Sequence, residues 1–149
     1  MAKKSYEEEY RNGKKEGKWI GWYENGNVGY EKEYKGGKEE GKWFELYKNG
    51  NKLYGEYKDG KKEGKWIGWY KGGNKWFEGA YKDGESEGKW VGWHEDGKKL
   101  YEREFKNGKQ EGKWVEWWEN GNKMYEGEYK DGKRVGQWIE WNKNGQQKI

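Results

Sequence analysis

The triplet Gly-Lys-Trp recurs at Gly17, Gly41, Gly64, Gly88 and Gly112, and again as Gly136-Gln137-Trp138, at intervals of 24 residues with one interval of 23 between Gly41 and Gly64. A fixed period of this length means that each repeat is one supersecondary unit, able to bury its apolar side only against its neighbours. Six units account for nearly the whole 149-residue chain. After a lead-in of residues 1–8 they run over 9–32, 33–55, 56–79, 80–103, 104–127 and 128–149 as a single repeat domain.

Each unit holds two aromatic-rich runs of about six residues, the length of an ordinary strand, separated by Gly-bearing turns. The shorter connection carries Asn25-Gly26, Asn49-Gly50, Gly72-Gly73, Asp96-Gly97, Asn120-Gly121 and Asn144-Gly145. Such dipeptides signal a two-residue hairpin turn in which both central residues take positive φ. The longer connection, as in Lys58-Asp59-Gly60-Lys61-Lys62-Glu63-Gly64, turns the chain back again. Counting outward from Asn120-Gly121 pairs Trp118 with Lys123, Trp117 with Met124, Glu116 with Tyr125 and Trp114 with Gly127. The same count sets Gly21 against Tyr30, Gly68 against Phe77 and Gly92 against Tyr101, so that a ring covers bare backbone. A Gly-bulge loop would shift this register by one. The 27 glycines oppose helices. The expected fold is all-β: an elongated, twisted antiparallel sheet of six tandem hairpins.

With 13 Trp, 13 Tyr and 3 Phe, rings must supply the core that scarce aliphatic residues do not. Trp19, Trp43, Trp66, Trp90, Trp114 and Trp138 stand in every unit, and so answer a packing requirement of every unit.

The Tyr-Glu-Gly-Glu-Tyr-Lys-Asp-Gly run at Tyr125 to Gly132, the Gly-x-Trp at Gly112 to Trp114 and the Asn-Gly turn resemble the MORN repeat, in the bacterial variant of YwqK-like proteins, many labelled antitoxins. The resemblance spans residues 9 to 145 and implies successive hairpins that serve as a platform for protein contacts. Units one and four depart from the pattern with Lys32 and Arg103 in place of its glycine, and unit two lacks one residue around Tyr54-Gly55-Glu56.

Catalysis finds little to work with. His94 is the one histidine, Ser5 and Ser86 are the only serines, and Thr and Cys are absent, so no nucleophile and base assemble and no cofactor or metal is expected. Asp59, Asp83 and Asp131 sit beside Gly, where turn chemistry outweighs calcium binding. A net charge of +4, with Lys followed repeatedly by Glu, gives neither the basic stripe that nucleic acid needs nor the cluster that anionic lipid needs.

Comparing units separates scaffold from recognition, because packing needs are shared while ligand contacts need not be periodic. Two columns vary most: Tyr23, Tyr47, Tyr70, His94, Trp118 and Asn142, and Gly29, Leu53, Trp76, Leu100, Met124 and Lys148. Their bulky members, Tyr23, Tyr47, Tyr70, His94, Trp118, Leu53, Trp76, Leu100 and Met124, are the candidates for partner contact. Drift at tolerant exposed positions is the competing account of both columns.

The expectation is therefore a non-enzymatic, cytoplasmic protein-binding scaffold whose partner is another protein, with self-association through sheet edges or ends left open. An antitoxin-like inhibitor is the sharper form that the resemblance implies. The alternatives are a carbohydrate- or choline-type module built on aromatic rows, and a duplicated or engineered array with no selected partner. No apolar signal stretch opens the sequence.

Overall fold

The computed structural model describes residues 6–149. The strands are β1 (Tyr6–Arg11), β2 (Lys14–Trp22), β3 (Val28–Lys35), β4 (Lys38–Glu39), β5 (Gly41–Leu46), β6 (Lys52–Lys58), β7 (Lys61–Trp69), β8 (Lys75–Lys82), β9 (Glu85–Trp93), β10 (Lys99–Lys106), β11 (Lys109–Trp117), β12 (Lys123–Lys130) and β13 (Lys133–Glu140). They form one 13-stranded antiparallel sheet in chain order, with the short β4 pairing β3 beside β5. β1 takes in Tyr6 to Glu8, which the sequence reading assigned to the lead-in, and residues 1–5 lie outside the described residues.

The two kinds of turn exchange the roles expected of them. The two-residue turn with both φ positive lies in the longer connection, at Asp59 (49°) and Gly60 (79°), and Lys58 pairs directly with Lys61 across it. Asn12-Gly13, Asp83-Gly84, Asn107-Gly108 and Asp131-Gly132 repeat this geometry. The Asn-Gly connection is instead a three-residue loop. Gly121 N–H donates to the Trp118 carbonyl at 2.9 Å, Trp118 N–H donates to the Asn122 carbonyl at 2.8 Å, and of the Asn120-Gly121 pair only the glycine has positive φ. Asn120 is there because its Oδ1 accepts the Asn122 N–H at 3.0 Å, as Asn25, Asn49, Asp96 and Asn144 do in their own loops.

The bulged loop moves the pairing next to it by one residue, and a second bulge restores it. Trp117 faces Lys123 rather than Met124, whereas Glu116–Tyr125 and Trp114–Gly127 stand as the sequence implied. Gly21–Tyr30, Gly68–Phe77 and Gly92–Tyr101 are cross-strand pairs as well. A Cβ on any of these glycines would overlap the ring that covers it.

One face of the sheet carries an unbroken column of rings, in order Tyr10, Trp19, Tyr34, Trp43, Tyr57, Trp66, Tyr81, Trp90, Phe105, Trp114, Tyr129 and Trp138. Successive centroids lie 4.6 to 6.4 Å apart, and most contacts are edge-to-face. Trp66, Trp90 and Trp138 lie over Gly55, Gly79 and Gly127. A cation sits over Trp19 (Lys15, 4.5 Å), Trp43 (Lys32, 4.3 Å), Trp66 (Lys62, 4.8 Å), Trp114 (Arg103, 4.8 Å) and Trp138 (Arg134, 4.2 Å), while Trp90 stacks on Phe77 at 6.0 Å. Covered on both sides, Trp66 is 1% exposed in a sheet only one layer thick.

Adjacent units are also tied along the turns. Carboxylates of Glu16, Glu40, Glu63, Glu87 and Glu111 accept N–H bonds at 2.8 to 2.9 Å from the next turn, at Gly36, Asp59, Asp83, Asn107 and Asp131. This explains the Glu that precedes nearly every Gly-Lys-Trp.

Two expectations follow. Gly79→Ala forces a Cβ into the Trp90 indole and should cost about 1–3 kcal/mol, whereas Gly72→Ala, which meets open space, should change the thermal midpoint little. Burial raises the pKa of the ladder tyrosines Tyr34, Tyr57 and Tyr81, and burial with a hydrogen bond to Glu116 pushes Tyr125 up to about 12. The unfolded phenols ionise first, near the ordinary 10.0, so this stabilisation is intact below that pH and is lost as the pH climbs through the raised folded-state values, about 12 for Tyr125. Circular dichroism across that range should show alkaline unfolding, shallower in Tyr125→Phe.

Candidate partner-binding faces

Side chains alternate across a strand, so the face opposite the ring column is set by the intervening residues. On the Gly-Lys-Trp strands these are Lys18, Lys42, Lys65, Lys89 and Lys113, then Ile20, Phe44, Ile67, Val91, Val115 and Ile139, then Trp22, Leu46, Trp69, Trp93 and Trp117. The returning strands place Glu31, Glu78, Glu102 and Glu126 between the members of the middle row.

Those glutamates organise the face where they occur. Glu78 accepts from Lys65 at 2.8 Å and Lys75 at 2.6 Å, Glu102 binds Lys99, and Glu126 accepts from Lys123 at 2.6 Å. Hydrogen bonds from Lys65 and then Lys75 hold the Glu78 carboxyl below the ordinary range, and Lys99 does the same to Glu102. The anchored lysines lie against indoles, Lys75 between Trp69 (5.9 Å) and Trp93 (5.7 Å) and Lys123 near Trp141 (5.5 Å).

Unit two breaks the pattern. β5 and β6 pair without the bulge that Trp76, Leu100 and Met124 mark elsewhere, so Glu45 faces Leu53 and Phe44 faces Tyr54 in unshifted register. The residue missing from the 23-residue interval is the bulge itself. Leu53 therefore does not share a position with Gly29, Trp76, Leu100 and Met124, as the column reading supposed. It pairs with Gly68, as Tyr101 pairs with Gly92, and belongs to the ring-over-glycine row. Tyr54 consequently occupies the glutamate row, 41% exposed, with its ring 5.0 Å from Phe44 and its backbone paired to Ile67.

The result is a recess of about 650 Å³ floored by Ile20, Phe44, Tyr54 and Ile67 and rimmed by Lys18, Glu33, Lys42, Glu56 and Lys65, with Glu31 between Ile20 and Phe44. None of these residues was among the candidates read from the sequence. The one signal for them was the 23-residue interval.

The candidates themselves lie along the Asn-Gly side, and several join unit to unit. Tyr23 Oη donates to the Leu46 carbonyl at 2.5 Å, Tyr70 Oη to Trp93 at 2.6 Å and Trp118 Nε1 to Trp141 at 3.2 Å. Trp76 packs against Tyr70 (6.1 Å), Phe77 (5.2 Å) and the half-exposed Tyr47 (6.2 Å). His94 stands where the donors of the other units stand, with Nε2 buried and without a hydrogen-bond partner among the described residues. Leu100 and Met124 are half-buried bulge residues on β10 and β12.

His94→Tyr should supply the missing donor to the Trp117 carbonyl and stabilise by about 0.5–1.5 kcal/mol, whereas Tyr70→Phe should destabilise by a similar amount. Urea midpoints of the two variants, shifted in opposite directions, would check this.

No group of three or more His, Cys, Asp or Glu able to hold a metal forms among the described residues, and no helix there is long and apolar enough to cross a membrane. Compared with known proteins, no curated protein matches the chain. Three segments, residues 15–35, 86–107 and 110–131, match the model of the MORN repeat variant, each running from a Gly-x-Trp strand through the short Asn-Gly or Asp-Gly loop into the returning strand, so that three hairpins of this repeat scaffold are similar to that type.

Proposed function

We propose that the chain is a non-enzymatic protein-binding scaffold and, more sharply, an antitoxin-like inhibitor that neutralises a partner enzyme in the cytoplasm by covering its surface. The observation that carries this reading is the division of labour between the two faces. Rings and their caps consume one face internally, which leaves the lysine, glutamate and apolar rows of the other to meet a partner. Rows crossing the twelve strands of the main path extend about 53 Å at the ordinary inter-strand spacing, ample for the ~800 Å² per partner of a stable interface.

The ladder indoles from Trp19 to Trp114 are buried, and four of the five lie under the chain's own cations, which leaves them poorly placed to hold a sugar or quaternary ammonium and weighs against the ligand-module alternative. The sharper inhibitor reading draws on the resemblance of the repeats to the YwqK-like variant.

The test is affinity purification of the tagged chain from its native cytosol. The expected outcome is one protein retained at fixed stoichiometry, with its activity suppressed in the complex and restored on dissociation. Retention of oligosaccharide or lipid in place of protein would sink the proposal.

A further inference from the structure

We infer that the recess of unit two is a seat for one amphipathic α-helix of the protein partner, laid across β2, β3, β5, β6 and β7 with its acidic and basic side chains alternating along one stripe. This rests on the scaffold reading and adds to it the place and the shape of what is bound.

The aromatic floor of the recess is particular to unit two because it originates in a deletion. In units three, four and five the bulge sets a glutamate into the middle row, and that carboxylate draws lysines over the apolar floor. Without the bulge the row receives Tyr54, and the floor from Phe44 to Ile67 is left open beside its charged rim. Lys18, Lys42, Glu33 and Glu56 make no ion pair among the described residues, although Lys18 faces Glu33 and Lys42 faces Glu56 in register.

Rim spacing selects the secondary structure of the occupant. Lys18, Glu33, Lys42, Glu56 and Lys65 alternate in sign, one to a strand, and neighbouring strands lie about 4.8 Å apart. Along a helix, residues three and four apart rise about 4.5 and 6.0 Å, so a stripe of alternating acid and base at that spacing keeps pace with the rim. An extended chain laid the same way presents like-facing side chains about 6.7 Å apart and drifts by about 2 Å at each strand. The rim spans about 19 Å, close to 13 helical residues, and an adjacent apolar stripe would rest on Phe44, Tyr54 and Ile67. Glu31, which interrupts the floor, calls for one basic residue on that stripe.

The probe is an alanine-based helical peptide of about 16 residues. It carries acids matched to Lys18, Lys42 and Lys65, lysines matched to Glu33 and Glu56, and a neighbouring leucine stripe. Two controls accompany it: a charge-reversed peptide, and one of the same composition with prolines that prevent helix. Calorimetry or fluorescence polarisation with the full chain should show the matched peptide binding at least tenfold more tightly than either control. Tyr54→Glu installs the residue type that β8, β10 and β12 already carry in this row, so it should keep the fold and lose at least tenfold in affinity. Lys42→Glu, an exposed change, should narrow the preference between matched and reversed peptides. Equal binding of the three peptides, or unchanged affinity in Tyr54→Glu, overturns the assignment.

The scaffold reading is tested separately. A native partner captured equally by wild type and Tyr54→Glu would leave the scaffold standing and remove the recess from it. Peptide binding with no native partner would do the reverse.

Discussion

Everything else in this fold depends on how an indole is kept from water in a sheet one layer thick. A Trp on a flat open sheet would leave much of its area wet, and neighbouring strands alone do not cover it. Here each ladder indole is edged by a Tyr or Phe from the strands beside it and covered by a cation or a second ring. Three lie across a glycine that would otherwise expose backbone. The periodic Gly and the periodic Trp are thus one requirement in two residues. Two units meet that requirement differently. Lys32 and Arg103 replace the glycine and cover Trp43 and Trp114, and the next strand then supplies Glu45 or Glu116 where Gly68 and Gly92 stand elsewhere. A charged pair in one place and a bare glycine pair in another hold the same column together.

Much of this was legible in the sequence. The 24-residue period, the antiparallel order, the ring-over-glycine pairs and the packing role of the recurring Trp all follow from residue spacing. The roles of the turns did not, for a definite physical reason. Asp59-Gly60 and Asn120-Gly121 look alike as dipeptides, because Asn and Asp suit a turn in two ways: they tolerate positive φ, and their side chains bond the backbone two residues on. At Asp59 the first property is used, at Asn120 the second. Only the flanking strands distinguish them, and they do so through the bulges at Trp76, Leu100 and Met124, residues whose types alone do not announce a bulge.

The candidate site was harder to see than the fold. Searching for columns that differ between units found Tyr23, Tyr70 and Trp118, which differ because a phenol and an indole donate equally well to the next unit's carbonyl. Chemical variety at one position is therefore compatible with a single structural task, and variability by itself did not separate recognition from stitching. His94 shows the limit of that tolerance, since it occupies the donor's place without reaching an acceptor.

The recess came from a missing residue rather than a changed one. Side chains alternate with a period of two, so removing one residue from a strand exchanges the faces of everything between the deletion and the next bulge. In a repeat array that exchange is confined by the neighbouring units, whose own bulges return the register, and so Leu53 and Tyr54 change rows while Trp43 and Trp66 keep their places in the ring column. A substitution would have had to create an apolar floor against the pull of the row's glutamate and its lysines. The deletion brings Tyr54 into the floor in one step, at no cost to the column that holds the sheet together. A repetitive scaffold gains a unique address most readily in this way, by a local loss of period on the face that packing does not use.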